Sequence, residues 1–248
     1  MRLLMLVVLM LPILSFGSGW FEETQVKAEQ GDVDAQYLLG AMYSLGEGVP
    51  TDDKAAVKWY LLAADQGSAD AQNMLGLTYN EGKGVPKDQK EAVKWFRLAA
   101  DQGHAKAQYN LGVMYNNGIG VPKDDKEAVK WFRLAADQGY ADAQYNLGLM
   151  YDEGEGVPED DKQAVKWYRL AAEQGIAFAQ FNLGLKYATG NGVPKDNLLA
   201  YMWWNIAGAN GQDVEKNMGI ISGNMSQDEI AKAQEKTTKY IKDHPDVY

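Results

Sequence analysis

The sequence contains no cysteine. That excludes a disulfide framework, a thiolate nucleophile and a cysteine-ligated metal, and with them a lipid anchor on an N-terminal cysteine. Histidine is nearly as scarce, with only His104 and His244 present, too few for a histidine metal centre without a matched carboxylate cluster. Positive charge is in deficit: 24 lysines and arginines face 34 acids, a net charge of −10. Binding to nucleic acid needs a basic stripe that neutralises phosphates, so that class of partner is excluded, and docking to anionic lipid by charge alone is disfavoured. No Ser-x-x-Lys occurs, which removes the signature of a penicilloyl-type serine nucleophile. Long apolar runs are absent except over residues 3–14. That run is too short for the roughly 20 residues a bilayer span requires. It follows Arg2 and precedes the small residues Ser15, Gly17, Ser18 and Gly19, the pattern of a secretory signal peptide over residues 1–19. The expectation is a periplasmic or secreted protein with no membrane insertion after signal cleavage.

What the sequence does have is repetition. Ala-Gln pairs occur at Ala35-Gln36, Ala71-Gln72, Ala107-Gln108, Ala143-Gln144 and Ala179-Gln180, always 36 residues apart. Gly40, Gly76, Gly112, Gly148 and Gly184 keep the step, as do Tyr43, Tyr79, Tyr115, Tyr151 and Tyr187. A Gly-x-Gly-Val-Pro segment ends at Pro50, Pro86, Pro122, Pro158 and Pro194, and tryptophan recurs at Trp59, Trp95, Trp131, Trp167 and Trp203. Such a period marks an array of supersecondary units that bury a core only by stacking.

Each unit reads as helix A, loop, helix B. At 100° per residue, Ala35, Gln36, Leu39, Gly40, Tyr43 and Gly46 fall within an arc of about 140°, the face expected to pack against neighbouring helices. Glycine ends helix A and proline blocks its continuation. No Gly-Lys-Ser/Thr follows the glycines, so the loop is not a phosphate cradle. Helix B opens with capping-box patterns, Asp88 with Glu91, Asp124 with Glu127 and Asp160 with Gln163. Repetition assigns acid pairs such as Asp124-Asp125 to helix caps rather than to acid–base catalysis. Arg97, Arg133 and Arg169 each stand four residues before an acid and are expected to pair with it on a wet face. His104 is expected to start a helix. At the front, Ala28, Gln30 and Gly31 match Ala64, Gln66 and Gly67, so residues 20–31 read as a lone B-type cap. At the back, Ser226 with Glu229 forms a capping box ahead of the stripe Ile230, Ala233, Thr237 and Ile241, so residues 212–248 read as C-terminal capping helices.

The series Ala-Gln-x-x-Leu-Gly-x-x-Tyr, Gly-x-Gly-Val-Pro-x-Asp and Ala-Val-x-Trp-aromatic-x-x-Ala-Ala-x-x-Gly over residues 32–211 resembles the Sel-one-like repeat (SLR) family, relatives of the tetratricopeptide repeat. The resemblance implies an all-α fold: a right-handed α-solenoid superhelix of five 36-residue helix-turn-helix repeats (32–67, 68–103, 104–139, 140–175, 176–211) with N- and C-terminal capping helices. It implies a non-enzymatic adaptor that binds other proteins. One cysteine-rich branch of the family is credited with β-lactamase-type activity, which is not carried over to a chain without cysteine.

In related arrays helix A lines a concave groove. Residues that vary between copies lie opposite the packing arc. Tyr109 with Val113, Tyr145 with Leu149, and Phe181 with Leu185 would offer an apolar row there. Asn110, Asn146 and Asn182 stand beside it and could grip an extended peptide backbone. The alternative is that neighbouring repeats bury the aromatics and bond the asparagines. The expected partner is thus a protein or extended peptide in the helix A groove, with a cell-envelope glycan as the second class of ligand and an envelope hydrolase as a third, weaker reading. No cofactor, metal or catalytic residue is expected.

Overall fold

The computed structural model describes residues 15–245, so the expected signal sequence lies outside the described residues as far as residue 14. Thirteen helices are described and, among the described residues, no strand. They are α1 (Ser15–Glu29), α2 (Val33–Leu45), α3 (Asp53–Asp65), α4 (Ala69–Glu81), α5 (Gln89–Asp101), α6 (Ala105–Asn117), α7 (Asp125–Asp137), α8 (Ala141–Glu153), α9 (Asp161–Glu173), α10 (Ala177–Thr189), α11 (Asn197–Ala209), α12 (Glu215–Gly223) and α13 (Gln227–Asp243). From α2 to α11 each helix has 13 residues, alternating A and B types in five tandem pairs. This is an all-α solenoid. The described residues form two compact units, 15–99 and 100–245. The N-terminal helix starts at Ser15, five residues before the expected cap at residue 20, and runs through Gly17 and Gly19.

In the first unit, Gly40 of α2 and Gly76 of α4 receive the rings of Tyr60 and Phe96; a Cβ on Gly40 would stand 2.6 Å from the Tyr60 ring. In the second unit, Gly112, Gly148 and Gly184 receive Phe132, Tyr168 and Trp204 in the same way. The glycine of each helix A is therefore a socket for the aromatic twenty residues later, and the rings of Tyr60, Phe96, Phe132 and Tyr168 are almost wholly buried. Alanine at Gly148 would place its Cβ 2.7 Å from a buried Tyr168 ring that cannot swing away. The overpacking cost of about 1–3 kcal/mol outweighs the helix-propensity gain of about 1 kcal/mol. Gly148→Ala should thus lower the urea midpoint, whereas Gly219→Ala, whose Cβ meets nothing within 4 Å, should raise it.

The Ala-Gln pair is a junction. Its alanine is buried, and its glutamine turns back to the preceding helix. Gln36 Nε2 donates to Ala28 O at 3.1 Å and Gln72 Nε2 to Ala64 O at 3.2 Å. Gln108, Gln144 and Gln180 do the same to Ala100, Ala136 and Ala172. The side-chain oxygens then accept from the end of helix B in the same repeat: Gln66 on Gln36, Gln138 on Gln108, Gln174 on Gln144 and Asn210 on Gln180, all at 2.7–3.0 Å. A buried amide satisfied at both ends stabilises one register, since leaving either group unpaired costs about 1–3 kcal/mol. Ala28 playing the part of Ala64 places α1 as a B-type helix.

The loops behave as capping chemistry requires, with two corrections. Asp52, Asp88, Asp124 and Asp160 accept from backbone N–H groups two and three residues ahead. Glu91 and Glu127, however, do not close a box with the cap. They turn outward to Lys94 at 2.6 Å and Lys130 at 3.4 Å, since a nearby ammonium competes better than one backbone N–H already exposed to water. Two of the arginines are also corrected. Arg133 donates to the Tyr151 hydroxyl and Arg169 to that of Tyr187 at 2.7 Å, in the next helix A, rather than pairing with acids four residues on. A half-buried hydroxyl holds a guanidinium better than an exposed i,i+4 carboxylate worth only about 0.2–0.5 kcal/mol. Trp131 and Trp167 face inward, each about 4% exposed. At the C-terminus the Ser226–Glu229 box is complete, and Ala233 and Thr237 are buried in the stripe of α13.

Candidate protein-interaction surface

The row on the helix A faces of the third to fifth repeats lies in the second unit. Its floor is built by the glycine sockets. With Phe132, Tyr168 and Trp204 seated against the glycines, Tyr109, Tyr145 and Phe181 lie on those rings at centroid distances of 5.9, 6.1 and 6.4 Å. Two of them also touch the start of the next helix A or its cap: Tyr109 meets Tyr140 at 5.1 Å, and Tyr145 stacks on Phe178 at 6.1 Å. Tyr109, Val113, Tyr145, Leu149 and Phe181 are half-buried, while Leu185 is 41% exposed. Each ring thus shows one part to solvent and rests the other on a rigid aromatic floor. A ring is wide enough to pack inward and still present an edge.

The asparagines are half-buried beside the row. Asn146 reaches the hydroxyl of Tyr109 in the preceding repeat, and Asn182 that of Tyr168. Asn110 is also engaged within the protein. A carboxamide offers two N–H groups and an acceptor, so one bond to a tyrosine orients it without exhausting it. Charge around the row is negative. Burial and then the Asp142 carboxylate raise the pKa of Tyr109, and burial and then Glu153 raise that of Tyr145.

One feature escaped sequence reasoning. Lys186 of α10 stands where Met42, Met114 and Met150 stand in their copies. Its side chain is only 7% exposed, and its ammonium bridges Asp152 of α8 and, at 2.5 Å, Asp161 of α9. The buried Tyr168 hydroxyl donates to the other Asp152 oxygen at 3.0 Å. Burial pulls the lysine pKa down, but the hydrogen bonds and charges of the two carboxylates outweigh it and leave it raised. The cluster holds its cation permanently charged, so it can neither give nor take a proton near neutral pH. His104 caps α6, its Nδ1 accepting from Ala107 N at 3.1 Å. Among the described residues, no group of three or more histidine, aspartate or glutamate side chains could hold a metal ion, and no helix is long and apolar enough to cross a membrane.

Stacked helix pairs with repeat-spaced sockets and glutamine junctions define a helical-repeat protein. The Sel1 repeat profile matches residues 33–68, 69–104, 105–140, 141–176 and 177–217. The chain belongs to the Sel1 repeat family, whose members act as protein-interaction scaffolds. Solved structures similar to it include a Sel1 repeat protein from Oxalobacter formigenes, at 39% identity and a TM-score of 0.72 over 78% of this chain and 56% of that one. Another is c5321, a protective antigen present in uropathogenic Escherichia coli strains and displaying an SLR fold, at 30% identity and a TM-score of 0.62 over 93% and 58%. A third, a putative Sel1 repeat protein from Klebsiella pneumoniae, has 25% identity and a TM-score of 0.50 over 82% and 99%. The alignments thus reach little more than half the length of the first two. Among curated proteins the comparison finds no match.

Proposed function

We propose that this is an exported, non-enzymatic scaffold that binds a protein or extended peptide along the helix A faces of repeats three to five. The observation that carries the reading is the aromatic–aliphatic row. Tyr109, Tyr145 and Phe181 rest on buried rings, so they are ordered before a partner arrives, and binding need not order them again. Val113, Leu149 and Leu185 supply apolar area one turn on, and Asn110, Asn146 and Asn182 supply amides along the edge. Asp142 and Glu153 flank the row and favour a partner segment carrying lysine or arginine. Export rests on the apolar segment of residues 3–14 between Arg2 and the small residues at 15–19.

Alanine at all three rings is a poor test, because each ring also packs against its neighbours. Leu185→Asp is better, since it alters an exposed side chain. Joined with Asn146→Ala, it should reduce capture of an envelope protein about tenfold or more while the melting temperature stays within a few degrees. Unchanged capture would remove the helix A row from the reading. Retention on purified peptidoglycan, lost in the same double variant, would assign the row to glycan instead.

A further inference from the structure

Helix B of the fourth repeat carries an unneutralised set of cations. Lys162, Lys166 and Arg169 of α9 line a cavity of about 400 Å³ whose apolar wall is formed by Val165, Leu170 and Val193. That volume lies in the range of small-molecule sites. The same three cations recur in the second and third repeats as Lys90, Lys94, Arg97 and Lys126, Lys130, Arg133. There Glu91 and Glu127 neutralise Lys94 and Lys130 through ion pairs. In the fourth repeat the corresponding residue is Gln163.

A second acid is lost at the same place. Gly156 packs against the backbone of Asp125 at the start of α7, and Gly192 packs identically against Asp161 at the start of α9. The neighbouring loop residues Glu155 and Asn191 therefore occupy equivalent positions over the two helices. Glutamate stands over the third repeat and an amide over the fourth. The nearby Asp161 is already occupied by Lys186. Among the described residues, Lys162, Lys166 and Arg169 take part in no ion pair within 4 Å. Two of the cations are held in place. Arg169 donates to Tyr187 Oη at 2.7 Å, and the Lys166 ammonium lies 4.8 Å from the Trp167 ring centre.

We infer that this cavity binds an oxyanion, of phosphate or carboxylate type, carried on a small apolar body. The fork of Arg169 and the two ammonium groups take the anion, and Val165, Leu170 and Val193 take the body. In a chain of net charge −10, no other occupant suits a pocket with three free cations and no acid.

The test is titration calorimetry on the full chain at low ionic strength with phenyl phosphate, inorganic phosphate, and vesicles of phosphatidylglycerol or of phosphatidylcholine alone. Phenyl phosphate should bind at one site per chain, tighter than inorganic phosphate, and should weaken as salt is added. Gln163→Glu restores the acid of the second and third repeats at a helix position that favours it, so the fold is kept. It should weaken binding about tenfold. Binding to phosphatidylglycerol but not phosphatidylcholine vesicles, lost in the same variant, assigns the anion to a lipid headgroup; binding to the soluble phosphates alone assigns it to a free ligand. Equal binding by the parent chain and Gln163→Glu, several equivalent sites per chain, or no binding of any probe overturns the inference.

Discussion

Alanine at Asp152 should lower the unfolding free energy by roughly 3 kcal/mol, while methionine at Lys186 should leave it unchanged or raise it. The asymmetry follows from exposure. The Lys186 ammonium is nearly sealed from water, whereas Asp152 and Asp161 keep 25% and 34% of their side chains exposed. Removing Asp152 strands a buried cation on one remaining carboxylate and leaves the Tyr168 hydroxyl without its acceptor. Removing the cation instead leaves two carboxylates that water can still reach. Methionine also fits the site, since Met42, Met114 and Met150 fill the same helix A position. Urea unfolding of the two variants measures the difference, and hydrogen exchange over α8 to α11 should localise it, because stability in such arrays is a sum of neighbouring terms. Equal losses in both variants would mean that the triad holds the fourth and fifth repeats together by net attraction rather than by satisfying a buried charge.

How far the sequence exposes the fold depends on whether a contact repeats. Most devices with a 36-residue step are visible: the alanine and glycine face, the aspartate caps, the Gly-x-Gly-Val-Pro turn. Even the glutamine junction left a trace, since Gln36, Gln72, Gln108, Gln144 and Gln180 recur on a face that must be buried, and a buried amide needs a partner that recurs with it. That partner is a backbone carbonyl eight residues back, which no side-chain pattern encodes. Arg133 and Arg169 depart from the sequence pattern for the opposite reason. Their i,i+4 acids are obvious in the sequence, while their tyrosines lie eighteen residues ahead and meet them only once the next helix A is in place.

Features that occur once were harder to see. Lys186 aligns with Met42, Thr78, Met114 and Met150, and Asp152 with Ser44, Asn80, Asn116 and Ala188. Neither departure means much until the fold brings them together. The interaction row is legible in its positions but not in its exposure, because the depth of a half-buried ring depends on neighbours such as Tyr140 and Phe178 that occupy variable positions themselves. The cavity on α9 follows the same rule. Its cations repeat, and what sets it apart is the missing glutamate.

Raising the pH from about 9 to about 12 should strip several kcal/mol from the protein, beginning near pH 10. Each unit contains a tyrosine whose ring fills a glycine socket. Burial, followed by the neighbouring Tyr37, pushes Tyr60 up to about 12, with the Ser44 hydroxyl opposing. Burial, followed by the Asp152 charge and its hydrogen bond, raises Tyr168 further, with Asn182 opposing. Lys186 is raised as well, the carboxylates of Asp152 and Asp161 overcoming its burial. In the unfolded chain these groups lose their protons near pH 10, so between there and their folded values the native state holds more protons than the unfolded one. Stability is therefore complete below about pH 10 and falls as the pH climbs through the folded values. For Tyr60, two pH units correspond to about 2.7 kcal/mol. The urea midpoint measured against pH should fall through this window while tyrosinate absorbance from the buried rings appears only with unfolding. Tyr60→Phe and Tyr168→Phe should each flatten the descent, the first through residues 15–99 and the second through residues 100–245. A midpoint that stays level to pH 12, or tyrosinate from those two rings at pH 10 in the folded protein, would show that the sockets admit water.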